Sequence, residues 1–157
     1  MAGVHPLGPT IGPWPAFRHD REALLEVVGQ LTPAQWTQPT VCGPWLVRDL
    51  VAHLVGDDLG HLSRGRDQHT GGQAPRPGEE FPAFIDRLNH QWVVAAAGMS
   101  PRVLAELLAT TTPPTLAFWD GLDLTGIGEP VSWAGPEPAL RWLDCARDFA
   151  EYWAHQR

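Results

Sequence analysis

Two histidines and one glutamate are the side chains of this sequence best suited to bind a metal ion. Glu151 and His155 are four residues apart in a segment that favours helix, and side chains at that spacing lie on one helix face within about 6 Å of each other. His53 lies in a second helical segment. If the two helices face each other, the three side chains form a two-histidine, one-carboxylate site.

Each half of this set also has an ordinary structural explanation. A carboxylate and an imidazole four residues apart are common on solvated helix faces. His53 lies at the edge of an apolar arc, in a row with Leu50 and Asp57, where a single histidine is usually a hydrogen-bonded structural residue. His61 continues that row about two turns further along, too far from His53 to share one ion.

The ligand types narrow the choice of metal. Two imidazoles and a carboxylate favour Zn(II) and leave Ni(II), Fe(II) and Mn(II) open. Three protein ligands leave one coordination position free, as a catalytic metal requires.

Length and charge exclude several classes of protein. A chain of 157 residues with 43% hydrophobic and 18% charged side chains is typical of one globular domain. Its longest apolar run, at residues 92–99, is far shorter than the roughly 20 residues that cross a bilayer. All 11 basic residues are arginine and the net charge is -7, so the basic footprint of a nucleic-acid-binding protein is missing.

Cysteine and tryptophan usage gives weaker indications. Cys42 and Cys145 show no metal-binding spacing, and we recognise no secretory segment, so we expect two free, buried thiols in a reducing cytoplasm. The 8 tryptophans are too many for a surface alone, and they indicate a core, a pocket or a dimer interface. Residues 1–15 are rich in Gly and Pro and are predicted to be a flexible segment before one domain at residues 16–157.

Helical periodicity predicts an all-α, up-down four-helix bundle with no strand pairing. A capping box at Thr32 opens a short turn that carries Trp36, and a short helix is predicted at residues 100–108. Residues 110–138 contain five prolines and are predicted to be a long structured loop over a pocket. The four principal helices are expected at about residues 16–30, 46–64, 79–97 and 139–155.

The apolar pattern of the last helix conflicts with the metal hypothesis. Periodicity places Glu151 and His155 roughly opposite the centre of its apolar arc, which points them towards water. A helix that lines a cleft resolves the conflict, because its polar arc then faces the ligand. The arc consists of Trp142, Leu143, Ala146, Phe149, Ala150 and Trp153.

Two segments resemble motifs of a known family. Residues 39–54 read PTVCGPWLVRDLVAHL and residues 146–155 read ARDFAEYWAH. They resemble the "PT.C.GW.VRDLVAHL" stretch and the "aR..E.W.H" helix of the mycothiol-dependent maleylpyruvate isomerase N-terminal domain, part of the DinB-like superfamily. Shorter matches occur at residues 88–93, 100–101 and 131–136, and the resemblance extends from about residue 17 to the last residue.

The resemblance implies a DinB-like bundle in which His53, Glu151 and His155 bind a divalent metal ion. It further implies that the metal activates a low-molecular-weight thiol, mycothiol in actinobacteria, for transfer to a small electrophile or for its isomerisation. The chain would then be a metal- and thiol-dependent transferase or isomerase that requires neither cysteine. The alternative is a non-catalytic metal-binding domain that binds a small molecule or a protein partner.

Several further side chains are candidates for the walls of a substrate pocket, and an ordinary packing role is the alternative for each. Arg48 or Arg141 would suit a bidentate contact with an acidic substrate, although a surface salt bridge explains either one. The pocket candidates are Trp45, Asn89, Trp92, Trp119 and Trp133.

The sequence departs from the family pattern at two places. Leu46 stands where relatives usually carry a Ser or Thr cap, which leaves Asp49 to stabilise the first turn of the second helix. The chain also stops two residues after His155, where relatives continue and commonly add a C-terminal domain, so we expect that domain to be absent.

Overall fold

A computed structural model describes residues 14–131 and 137–155 of the chain. Trp133 and residues 1–13, most of the segment predicted to precede the domain, lie outside these ranges. The described residues form five α-helices and two short strands. The helices are α1 (Trp14–Gln30), α2 (Val47–Gly60), α3 (Phe81–Ala95), α4 (Pro101–Asp120) and α5 (Arg141–His155), and the strands are β1 (Ile127–Pro130) and β2 (Pro138–Leu140).

Helices α1, α2, α4 and α5 surround the main apolar core, and α3 packs against α2. The predicted apolar face of α1 is buried through Phe17, Leu24 and Val28. Trp36 is buried in the short turn at Gln35–Thr37. The predicted cap of this turn is present, because the Gln35 side chain accepts a hydrogen bond from the Thr32 backbone N–H. The all-α bundle is therefore confirmed. Within the described ranges, no helix has the length and apolar character needed to span a membrane.

Helix α2 begins without a side-chain oxygen at its first position. The Asp49 carboxylate accepts a hydrogen bond of 3.1 Å from the backbone N–H of Leu46 instead, so an acid in the first turn stabilises this end as expected. Wider π-helical turns at His61–Arg66 continue α2 beyond Gly60. The helix predicted at residues 46–64 is thus present, with altered geometry in its last part.

The prediction of an irregular chain from residue 110 was wrong, because α4 continues through Pro113 and Pro114 to Asp120. Each proline leaves one carbonyl of the preceding turn without its backbone donor, and α4 tolerates that loss. The Thr112 hydroxyl donates to the Leu108 carbonyl one turn earlier, an arrangement that bends helices without ending them. The second half of α4 also buries Leu116 and Trp119 in the core, so tertiary packing outweighs the local preference.

The expectation of no strand pairing was also wrong, since β1 and β2 form an antiparallel pair between α4 and α5. The two strands are only 4 and 3 residues long, which is too short for a period-two pattern to be visible in the sequence. Beside them, Val131 packs with Trp142 and Leu143 in a second, smaller apolar cluster. The strand pair thereby places Glu129 and Pro130 at the wall of a cavity.

Candidate functional site

The three predicted metal ligands meet where the first half of α2 faces the end of α5. The Glu151 Oε2 atom lies 3.7 Å from His53 Nε2 and 3.0 Å from His155 Nε2. The side chain of His53 is 6% exposed, and those of His155 and Glu151 are 13% and 35% exposed. Periodicity alone directs Glu151 and His155 towards water, but α5 lines a cleft and its polar arc faces α2, which is the arrangement that the metal hypothesis requires.

The spacing of these atoms fits one bound metal ion. One ligand atom from each of the three residues lies within 4.8 Å of the other two. Tetrahedral zinc with bonds of about 2.0–2.1 Å holds its ligand atoms about 3.4 Å apart. Small side-chain rotations therefore suffice to place an ion between them, and the donor set is one that Zn(II) accepts with a coordination position to spare.

Opposite charges shift the pKa values of His53 and Glu151 in this cluster. Burial alone lowers the pKa of His53, but the carboxylates of Asp57 and Glu151 outweigh it and raise that pKa above its ordinary value. Hydrogen bonds from His155 and His53 hold the pKa of Glu151 well below its usual range. The cluster therefore keeps the Glu151 carboxylate ionised and favours proton binding at His53, so a metal ion would compete with that proton.

The loop before α2 contacts both histidines. It is closed by a backbone bridge between Pro39 and Leu46 and by a 3.0 Å hydrogen bond from the Thr40 N–H to the Trp45 carbonyl. Trp45 packs against the imidazole of His53 at a ring distance of 5.2 Å. A single loop thus supports a predicted ligand on α2.

The same loop reaches the second histidine through Cys42. Its Sγ lies 3.8 Å from Nδ1 of His155, the ring nitrogen that does not face Glu151. The expectation of two buried thiols holds for Cys145 and is wrong for Cys42, which is half-buried. Partners of the far ring nitrogen commonly fix the orientation of a metal-binding histidine, so the Cys42 thiol is placed to orient His155.

A cavity of about 630 Å³ opens beside His53 between α2, α3, β1 and α5. Asn89 and Trp92, two of the predicted pocket residues, line it. Trp45 supports His53 instead. Trp119 is buried and donates a 3.1 Å hydrogen bond to Asp148, so its role as a pocket wall was predicted wrongly. Trp133 lies outside the described residues.

The two arginines considered for an acidic substrate make contacts within the fold. Arg48 pairs with Asp49 at 2.6 Å and donates to backbone carbonyls after α3, including that of Ala96. Arg141 donates to the backbone carbonyl of Asp123 and packs against Gly128 of β1 and Gly126 just before it. Neither one lines the cavity.

Sequence reasoning placed Asp57 in a row with His53 but missed Arg147 and the acidic residues that it contacts. Asp57 Oδ2 lies 3.7 Å from His53 Nε2 and 3.9 Å from Arg147 Nη1. Arg147 also pairs with Asp148 at 2.8 Å, and Asp148 accepts from His61 at 2.9 Å. The four-residue spacing of His53 and Asp57 was a visible signal, whereas the contacts from α5 depend on how the helices pack.

Comparisons with known proteins agree with this architecture. Two similar solved structures are the crystal structures of the mycothiol-dependent maleylpyruvate isomerase and of a histidine-to-alanine mutant of that enzyme. Each superposes with a TM-score of 0.68 at 12% and 11% sequence identity, respectively. The alignments cover 94% of this chain and 59% of those chains, so this chain spans little more than half their length. The likeness establishes the DinB-like fold.

A search of curated proteins finds no match. The family model of the mycothiol maleylpyruvate isomerase N-terminal domain, in contrast, matches residues 17–157. That range contains the described bundle except for the first three residues of α1, includes His53, Glu151 and His155, and is nearly the entire sequence. The protein therefore belongs to the mycothiol maleylpyruvate isomerase N-terminal domain family.

Proposed function

We propose that this protein binds a divalent metal ion, zinc before nickel, iron or manganese, through His53, Glu151 and His155. We further propose that it uses the ion to activate a low-molecular-weight thiol of the mycothiol type. The thiol would react with a small electrophilic substrate, by transfer or by isomerisation. The observation that carries the proposal is the convergence of three ligand atoms from α2 and α5 within 4.8 Å.

The surroundings of the cluster support a catalytic role over a purely structural one. A structural zinc ion is usually closed by four protein ligands, whereas this set leaves a position open. The cluster also borders a cavity large enough for a small ligand. A bound metal ion would supply the positive charge that keeps a thiol ionised near neutral pH.

The residues of the chain itself would bind and position the reactants. Glu151 and the two imidazoles hold the ion, while Cys42 and Trp45 orient the imidazoles. The cavity beside His53 would hold the electrophile next to the open position. Attack by the external thiol removes the need for a protein nucleophile, which agrees with the raised pKa of about 12 that burial gives Cys145.

Metal analysis of the purified protein tests the first step. We expect about one ion per chain in the wild type and an approximately 100-fold weaker affinity in His155→Ala or Glu151→Gln, because each ligand supplies a large share of the binding free energy. His90→Ala, which removes an exposed histidine of α3, is the matched control and should keep the metal. Equal metal content in all four proteins, or none in the wild type, would refute the site.

Turnover tests the second step. The metal-loaded protein should accelerate loss of the free thiol when mycothiol is mixed with a general thiol-reactive electrophile, and Glu151→Gln should not. An isomerisation regenerates the thiol, so it is followed by loss of the electrophile in the presence of mycothiol. Stoichiometric metal without any thiol-dependent turnover would favour the alternative, a metal-binding domain that serves a partner or ligand without catalysis.

A further inference from the structure

The cavity beside His53 has two unlike walls. The wall formed by α3 carries aromatic and aliphatic side chains, and the opposite wall, formed by α2, β1 and α5, carries the charges. The apolar wall consists of Phe81, Phe84, Ile85, Leu88 and Trp92.

The apolar wall is held in place by contacts within the fold. Trp92 donates its indole N–H to the Ala52 carbonyl at 2.6 Å, so its single polar atom is already occupied. A Cβ atom at Gly56 would overlap the Trp92 ring, which means that the ring can pack closely against α2 because Gly56 has no side chain. A flat, apolar ligand can therefore stack on a surface that is already ordered.

Every Asp, Glu and Arg on the charged wall already has a partner of opposite charge. Arg147 pairs with Asp144 at 3.2 Å and with Asp57 at 3.9 Å. At the cavity mouth, Arg64 faces Glu129 at 3.7 Å. An anionic ligand that binds an arginine would have to displace a carboxylate from it, and a cationic ligand would have to displace an arginine. The two buried histidines of the lining also face carboxylates already.

Arg147 is the arginine least able to accept a ligand carboxylate. Its guanidinium contacts three acids, including the buried Asp148, and its Nη2 also lies 3.0 Å from Nε2 of His61. An arginine that recognises a carboxylate needs two adjacent N–H groups free for a bidentate contact, and here all three nitrogens face existing partners. Asn89, in contrast, lines the cavity with no side-chain hydrogen bond to any described residue, so its neutral amide can both donate and accept.

We propose that this cavity selects an uncharged ligand with a flat, apolar body and one hydroxyl or carbonyl group, and that it disfavours carboxylates. The assignment of this ligand as the electrophile rests on the function proposed above. On that assignment, the substrate is a neutral aromatic or conjugated compound. The stacking surface would bind the flat body, and Asn89 would bind the polar group.

A matched pair of probes tests the selection. Ligand-detected NMR with the full chain in EDTA would compare 2-naphthylmethanol with 2-naphthoate, which share one aromatic body and differ in charge. We expect the alcohol to bind at least 10-fold more tightly. Equal or tighter binding of the carboxylate, or no binding of the alcohol, would overturn the proposal.

A charge-removing variant tests the physical reason. Asp144→Asn leaves the Arg147 Nε without its ionised partner, so it should strengthen 2-naphthoate binding about 5-fold and leave the alcohol within 2-fold. Asp86→Asn, on the exposed face of α3, is the control and should change neither. Unchanged carboxylate affinity in Asp144→Asn would overturn the pairing argument. Because EDTA removes the metal, failure of the metal site leaves these outcomes intact and is detected separately by metal analysis.

Discussion

Two polar clusters connect α2 to α5, one through Asp58 and Tyr152 and the other through His53 and Glu151, and they are built differently. In the deep cluster, Asp58 pairs with Arg21 and accepts hydrogen bonds from Thr111 and, at 2.6 Å, from Tyr152. In the cluster at the end of α5, two imidazoles converge on a single oxygen of Glu151.

The difference separates a structural role from a chemical one. The Asp58 carboxylate receives one cation and two hydroxyl donors, so both of its oxygens have good partners and it has no remaining capacity for a ligand. The cluster around Glu151 instead brings together three atoms that can each donate a lone pair to a metal, and it borders a cavity. In the sequence, only the second cluster shows helical spacing, between Glu151 and His155, because the members of the deep cluster are on four different helices.

The largest effect is expected from breaking the deep cluster. Asp58→Ala leaves Arg21 buried without its partner, and loss of one member of a buried ion pair costs about 3–5 kcal/mol. Urea unfolding should show that loss in the free energy of unfolding, and Asp86→Ala, at an exposed position, should not. The metal affinity of the folded fraction should stay unchanged. A parallel loss of metal affinity would show that the two clusters act as one unit.

A smaller effect is expected from removing the thiol that orients His155. Cys42→Ala should weaken metal affinity about 10-fold, the lower end of the range for the partners of metal-binding histidines. Cys42→Ser keeps a polar partner and should recover most of the affinity, while Cys145→Ala, at the distant thiol, should leave it unaltered. The d–d spectrum of the cobalt-substituted protein reports the same change at the metal. Identical spectra and affinities for wild type and Cys42→Ala would contradict the positioning role.

The smallest effect is a pH dependence at His61, two turns beyond His53. Burial lowers its pKa, but the carboxylate of Asp148 outweighs burial, and the net pKa is raised. A raised folded-state pKa contributes stability that is fully present below about pH 6.5, the unfolded value, and is lost as the pH rises through the folded-state pKa. Unfolding of the metal-free protein between pH 6 and 9 should therefore show a decline that His61→Gln lacks. An equal decline in His61→Gln would remove His61 as the cause, and His90→Gln should behave like wild type.

Much of the bundle was predictable because its helices have strong periodic apolar faces and recognisable ends. The burial of Phe17, Leu24 and Val28 follows from their spacing, and the role of Asp49 follows from the missing cap at Leu46. Helix α4 was not predictable past Pro113, since the packing that sustains it comes from distant parts of the chain. The strands were missed because two short segments pair only after α4 and α5 have brought them together.

The sequence by itself determined the chemistry available to this protein: two imidazoles and a carboxylate on helices, an acidic surface, a lone thiol before α2, and the two motifs that mark its family. Only the tertiary structure decided which of these groups meet. Periodicity of α5 directed Glu151 and His155 towards water, and the packing of α2 across the cleft turned the same face into a candidate metal site. Helix spacing predicts which side chains share a face, but the partner of that face is set by long-range packing.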